Sequence, residues 1–296
     1  MKKTMKWIGI VLAALLGLVI LAALVMGIAG GQQLRKTHDI QAEAITIPTD
    51  EASLARGEKL VDVAFCTECH GADLTGDVVF QDPAIGAIYA SNITGLGEEH
   101  TDADLILSIR HGLDHDGRQL MIMPADVFVN LSAEDLGSII AYLKTLPRKG
   151  DELPEPEITF MGRIGLAAGM FGDVFPADYI DHNQPFPVMP EVGANIEYGG
   201  YMTGLCTGCH GTDLAGKVFD PEAPPAPNIT PGGELGEWSE TDFIQTLRTG
   251  KSPHEDHELD PEYMPWQAFS KLSDDELKAL WMYLQSVPPK QEGDSE

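Results

Sequence analysis

The sequence predicts an all-α protein, two small helical domains in tandem behind one N-terminal transmembrane helix. Three observations predict it: a long apolar run near the N-terminus, an internal repeat at an offset near 140 residues, and matched helix start and stop signals in both copies. At 296 residues and 43% hydrophobic composition the chain can bury a core in each of two domains.

Trp7 to Ala29 form 23 consecutive positions without a charge, about 35 Å as a helix against a hydrocarbon core of about 30 Å. Lys2, Lys3 and Lys6 precede this run, so the positive-inside tendency keeps the N-terminus in the cytoplasm and sends the rest outward. Arg35 and Lys36 weaken that asymmetry. A cleaved signal peptide is the competing reading, because Gly27 and Ala29 are spaced like a cleavage site. The length favours a retained anchor, since the apolar region of a signal peptide runs roughly 7–15 residues. The expectation is a single-pass protein of the inner (cytoplasmic) membrane with its domains on the periplasmic or extracytoplasmic side.

The repeat is explicit in the residues. CTECHGADLTG at Cys66–Gly76 matches CTGCHGTDLAG at Cys206–Gly216, SNIT at Ser91–Thr94 matches PNIT at Pro227–Thr230, IRHG at Ile109–Gly112 matches LRTG at Leu247–Gly250, and Met123-Pro124 matches Met264-Pro265. Each copy closes with a helix. Ser132 with Asp135, and Ser273 with Glu276, have capping-box spacing, as do Thr101 with Asp104 and Ser239 with Asp242 for an earlier helix. Leu136, Ile139, Ile140 and Leu143 make one apolar stripe, Leu277, Leu280, Trp281 and Leu284 another, and Pro147 and Pro288 end both helices. The expected organisation is an anchor with flanks over 1–36, a first domain over 37–150, a Pro/Gly-rich linker over 151–190, a second domain over 191–290 and an acidic tail over 291–296. Within the linker, Phe160 to Phe175 is rich in Gly, Met and Phe; packing between the two domains is the leading expectation, docking of another subunit the alternative.

All four cysteines fall in Cys66-x-x-Cys69-His70 and Cys206-x-x-Cys209-His210, the pattern of covalent haem c attachment. On one helical turn, thiols at i and i+3 share a face and reach the two vinyl groups of one porphyrin, and the adjacent histidine offers a nitrogen to the iron. Disulfides would not require a histidine after each pair, and a zinc site keeps its two C-x-x-C pairs far closer than 140 residues. The metal ligands expected are therefore His70 and His210, with a second axial ligand for each iron. Met123 lies 53 residues beyond His70 and Met264 lies 54 beyond His210, and both precede proline. Met121 is the rival for Met123. Met189-Pro190 has no counterpart in the first copy and reads as linker packing.

These motifs resemble the class I c-type cytochromes, specifically the membrane-anchored dihaem subunits that take electrons from periplasmic dehydrogenases or feed oxidases. The resemblance covers about residues 53–148 and 196–288 and rests on ARGEKLV, ASNIT and APNIT, the TDAD and WSETD helix starts, the Met-Pro pairs and the two closing helices. It implies two tandem cytochrome c-like domains carrying two covalently bound haems c. It further implies that Arg110 and Arg248 lie near haem propionates, with Asn92, Asn228 and Trp238 helping to hold them; His100 stands where the second copy has Trp238. His111, His115, His254 and His257 read as solvated loop residues.

The function expected is single-electron transfer between a periplasmic or membrane donor, such as a dehydrogenase, and a downstream acceptor in a respiratory or photosynthetic chain. His-Met ligation would leave no open iron position, which weighs against a dihaem peroxidase; a haem-bearing anchoring subunit of a larger oxidoreductase is the other alternative. The balance of 19 Lys plus Arg against 46 Asp plus Glu, net -27, argues against nucleic acid as a partner. The five cations before residue 37 flank the span, leaving 14 against 46 anions beyond it, so a redox partner with a basic face is expected.

Overall fold

In the computed structural model, which describes residues 2–218, 224–253 and 258–291, the apolar run lies in α1 (Lys2–Gln33), a helix long and apolar enough to cross a membrane. The first copy follows with α2 (Glu51–Val63), α3 (Cys66–His70), α4 (Leu96–Glu99), α5 (Asp102–His111), α6 (Ala125–Phe128) and α7 (Ala133–Thr145). Then come α8 (Phe160–Ala167) and the second copy, α9 (Ile196–Thr203), α10 (Thr207–His210), α11 (Glu240–Thr249), α12 (Trp266–Phe269) and α13 (Asp274–Ser286).

The chain is mainly helical, but the all-α expectation omits a small sheet. β1 (Asp77–Asp82), β2 (Gly86–Ala90) and β3 (Glu157–Ile158) pair antiparallel in that order. Val78, Val79 and Phe80 of β1 are exposed in succession, so the strand lacks the period-two alternation that would reveal it.

In each copy the first helix packs along the last, α2 on α7 and α9 on α13. Leu136, Ile139, Ile140, Leu143, Leu277, Leu280 and Leu284 are buried in one main core, with Trp281 packed at its edge. The close approach depends on two glycines. A Cβ at Gly57 would lie 2.0 Å from the carbonyl oxygen of Ser138, and one at Gly199 would lie 2.0 Å from that of Ala279.

Capping boxes form at α5, α11 and α13. At α7 only half of the box forms: Ser132 accepts from the Asp135 amide, while the Asp135 carboxylate is taken by Arg56 and by the Tyr201 hydroxyl, at 2.6 Å. The Ser132 amide donates to Tyr201 Oη instead.

That substitution belongs to a reciprocal exchange between the domains. Tyr201 of the second copy reaches Asp135 of the first, and Lys59 of the first reaches Glu276 of the second at 2.8 Å. Tyr198 donates to Glu276 at 3.1 Å and accepts from Arg56 at 3.2 Å, joining the two halves. Asp135 and Tyr198 are 0% exposed and Glu276 2%. Buried charges of this kind persist only when paired and hydrogen-bonded, so the network fixes how the domains meet.

The segment expected to lie between the domains packs elsewhere. α8 lies against the end of α1, and Ile158, Leu166 and Phe175 form a second small core with Leu34 and Met121. A short 3-10 turn at Pro176–Asp178 packs on α6, while Phe186 and Met189 reach the main core. His111 is fully buried rather than solvated: Nε2 contacts Glu43 at 2.9 Å and Nδ1 contacts His182 at 3.0 Å, tying α5 to the strap before α2 and to the linker. His115 is exposed as expected, and His254 and His257 lie outside the described residues.

Candidate haem sites

Cys66, Cys69 and His70 form one turn of helix, and Cys206, Cys209 and His210 occupy the matching turn in the second copy, so the i, i+3 spacing sets each thiol pair on one side. All four thiols are free. Burial, with smaller contributions from Cys69 and Asp62, pushes the Cys66 thiol up to about 12, and burial does the same to Cys206. A dithiol of the thioredoxin type requires the opposite shift.

In both copies the histidine Nδ1 meets a backbone carbonyl, His70 that of Ser91 at 2.7 Å and His210 that of Pro227 at 2.8 Å. Burial lowers both imidazole pKa values, with the carbonyls acting in the opposite direction, so the rings are neutral at physiological pH. A neutral ring facing a carbonyl carries its proton on Nδ1, which leaves Nε2 as a bare donor for a metal.

The carbonyls are held in place by the next residue. Asn92, 3% exposed, donates from Nδ2 to the Lys149 carbonyl at 2.6 Å and accepts at Oδ1 from the amide and hydroxyl of Thr94. Asn228 donates to the Lys290 carbonyl at 2.8 Å and accepts from Thr230 in the same way. Each asparagine pins the loop bearing the histidine's carbonyl partner to the chain beyond the closing helix. Their amide groups are engaged with backbone and with Thr94 or Thr230.

The arginines are likewise engaged with backbone carbonyls. Arg110 is fully buried, donates to the carbonyls of Val129, at 2.6 Å, and Gln184, pairs with Glu43 at 3.2 Å and stacks on Phe186 at 3.9 Å. Arg248 donates to the Ser270 carbonyl and pairs with Asp274 at 2.7 Å. Val129 and Ser270 are the residues that cap α6 and α12, the short helices directly after Met123-Pro124 and Met264-Pro265. Both arginines thus brace the methionine loops from behind, because the carbonyls at a helix C-terminus attract a cation.

Around the first motif lies a cavity of about 430 Å³ into which Cys66, Cys69, His70, Asn92, His100, Met121 and Met123 all face, with Phe128, Ile139 and Leu143 among its apolar walls. Arg110 is absent from its lining. Arg118 is the arginine that lines it, held by Asp114 at 2.8 Å and Glu155 at 3.3 Å; sequence reasoning passed it over because it lies outside the repeated motifs. Met123 packs against the main core, whereas Met121 packs against the small core under the linker. In the second copy Cys206, Trp238 and Met264 pack against the main core. The approaches to the two methionines differ. Ile122 has φ 57°, a left-handed conformation that a β-branched residue rarely adopts, and its amide donates to the Val174 carbonyl at 2.7 Å; the amide of its counterpart Tyr263 donates to the Asp260 carbonyl at 3.1 Å instead. Two free thiols, a neutral imidazole and an apolar cavity with a thioether fit a covalently attached porphyrin.

A cytochrome c family model matches residues 54–147 and 200–288, well over half of the chain, and the chain belongs to the cytochrome c family. Membership implies covalently bound haem c. The chain is 31% identical to the fructose dehydrogenase cytochrome subunit of Gluconobacter japonicus over 265 residues, 81% of this chain and 54% of that protein. It is 27% identical to the alcohol dehydrogenase (quinone) cytochrome c subunit of Gluconacetobacter polyoxogenes over 283 residues, covering 84% and 58%. A diheme cytochrome c-type protein of Cereibacter sphaeroides is 27% identical over 291 residues, 88% of this chain and 95% of that one. The chain therefore spans little more than half the length of the dehydrogenase subunits it matches.

Proposed function

We propose that this protein carries two covalently attached haems c and passes single electrons from a dehydrogenase-type donor to a downstream acceptor, anchored by α1 on the outer side of the cytoplasmic membrane. The observation that carries the reading is duplication of the whole ligand apparatus: thiol pair, neutral histidine with a carbonyl on Nδ1, and braced Met-Pro loop. Haem supplies the one-electron couple when bound. The residues of the chain would attach it through Cys66 and Cys69, and through Cys206 and Cys209, and would offer its iron Nε2 of His70 and His210 and the thioethers of Met123 and Met264. Differences between His100 and Trp238, and between the two methionine approaches, support unequal potentials.

Met123→Ala and Met264→Ala are each expected to remove about half of the far-red sulfur-to-iron absorption of the ferric protein and to lower one potential. Unchanged spectra in either variant would refute the methionine assignment, and full retention in Met123→Ala with loss in Met121→Ala would transfer it to Met121.

The acidic balance beyond residue 37 supports a partner with a basic docking face. Association with the donor is expected to slow as ionic strength rises from about 0.01 to 0.15 M, over which the screening length shrinks from about 30 to 8 Å. A rate indifferent to salt in stopped-flow measurements would refute this.

A further inference from the structure

We propose that α8 and the outer end of α1 form a binding site for an anionic phospholipid, its headgroup phosphate held between Arg35 and Arg163. The proposal rests on the reading that α1 spans a bilayer.

The site starts with two glycines. Gly27 and Gly30 are buried, and a Cβ on them would lie 2.2 Å from the ring of Phe160 and 2.0 Å from the carbonyl oxygen of Arg163. Their bareness lets α8 close onto the last turns of α1. Beside this contact runs a crevice of about 560 Å³, and its lining is graded along the span. Leu24 and Ile28 line the end toward the apolar run, Phe160 covers it from α8, and Gln32, Arg35 and Arg163 line the end toward the domains. Phe160 and Met161 are 50% and 61% exposed, beside Leu24 and Ile28 at 48% and 62%. That apolar surface continues the lipid-facing surface of α1 onto α8, so acyl chains rather than water are its natural neighbours.

Charge selects the headgroup. The chain holds 46 acids, and the nearby cations use them: Lys36 pairs with Asp178, and Arg118 with Asp114 and Glu155. Arg35 and Arg163 have no carboxylate partner among the described residues. Arg163 is oriented by a bond from Nε to the Ile158 carbonyl at 3.1 Å, which leaves both Nη groups for a ligand. Both arginines also line an adjoining cavity of about 830 Å³ toward the first domain, so a headgroup has room on that side. Two guanidiniums without an ion-pair partner among the described residues at the mouth of a span, set apart from Asp82, Glu155 and Glu157 of the adjoining cavity, suit a phosphate that accepts paired hydrogen bonds, and a net negative lipid over a zwitterionic one.

The full-length holoprotein, extracted with mild detergent and reconstituted in nanodiscs of phosphatidylcholine with a minor fraction of phosphatidylglycerol, tests this by native mass spectrometry of retained lipid. Wild type is expected to retain phosphatidylglycerol in preference to phosphatidylcholine. Arg35→Gln and Arg163→Gln are each expected to cut that preference by about tenfold, the size of effect when one charge-assisted bond is lost. Arg35→Lys should restore part of it. Each variant should keep wild-type haem absorbance and stay in carbonate-washed membranes, so that lost lipid is not lost folding or insertion. Equal retention of both lipids by wild type, or unchanged preference in both variants, overturns the proposal while the anchor stands. Displacement of the lipid by millimolar inorganic phosphate overturns it in favour of a free-anion site. Release of wild type by carbonate overturns the anchor and this site together.

Discussion

Asp135→Ala is expected to destabilise the holoprotein by about 3–5 kcal/mol, a large part of the 5–15 kcal/mol that holds a typical domain folded. The size follows from burial. Asp135 has no exposed surface, and its removal leaves Nε and Nη2 of Arg56 and the Tyr201 hydroxyl without their carboxylate acceptor in the seam between the domains. A shift of the urea midpoint equivalent to under about 1 kcal/mol would show that the seam does not depend on this network. Glu276, the opposite pole, gives a second reading. Burial works to raise its pKa, but the bond from Lys59 and the Ser273 amide outweigh it, and the carboxyl sits below its ordinary value. A group whose folded pKa is depressed contributes stability above its unfolded pKa, about 4.3, and loses it as pH falls through the folded value. Glu276→Gln should therefore be less stable at neutral pH and decline less steeply below about pH 4.3. An acid limb parallel to that of wild type would contradict the assignment.

Gly57→Ala and Gly199→Ala should each cost about 1–3 kcal/mol or more, although alanine is the better helix former by about 0.5–1 kcal/mol. Two effects compete, and geometry decides between them. The added methyl would lie 2.0 Å from a backbone carbonyl oxygen and 2.9 Å from the Cβ of Tyr142 or Tyr283, neither of which can swing aside without moving α7 or α13. Net stabilisation by either substitution, measured by chemical unfolding, would mean that the helix pairs can separate at little cost. The two copies act as controls for each other, since the contact is the same in both.

Helices were legible wherever local chemistry agreed with tertiary structure. Thr101, Ser239 and Ser273 begin helices with hydroxyl and carboxylate in reciprocal bonds, and the apolar stripes of α7 and α13 lie in the core. Legibility failed where a long-range partner competed. Asp135 deserts its capping box for Arg56 and Tyr201, partners 79 and 66 residues away. His111 gives no local sign of burial, because Glu43 and His182, which make burial tolerable, come from segments without pattern. The repeat brought out Cys66, His70, Met123 and their equivalents, since similarity at fixed offset marks what both copies require. It could not say what each residue touches: Asn92 and Asn228 donate to carbonyls beyond the closing helices, and Arg110 and Arg248 to carbonyls at the ends of α6 and α12, contacts with no signature beyond recurrence.

The strap between α1 and α2 also bears on how the protein meets partners. His38 bonds the Gly117 carbonyl at 2.8 Å, Glu43 is held by Arg110 and His111, and Ile45 and Ile47 pack on the core. A slack tether would let the domains sweep a hemisphere and sample many orientations at millimolar effective concentration. A stitched one turns the molecule into a mast of set height. With α1 spanning a bilayer and haem in both sites, as proposed, diffusion becomes a search in two dimensions, and the partners favoured are those whose docking faces sit at the matching altitude above the membrane.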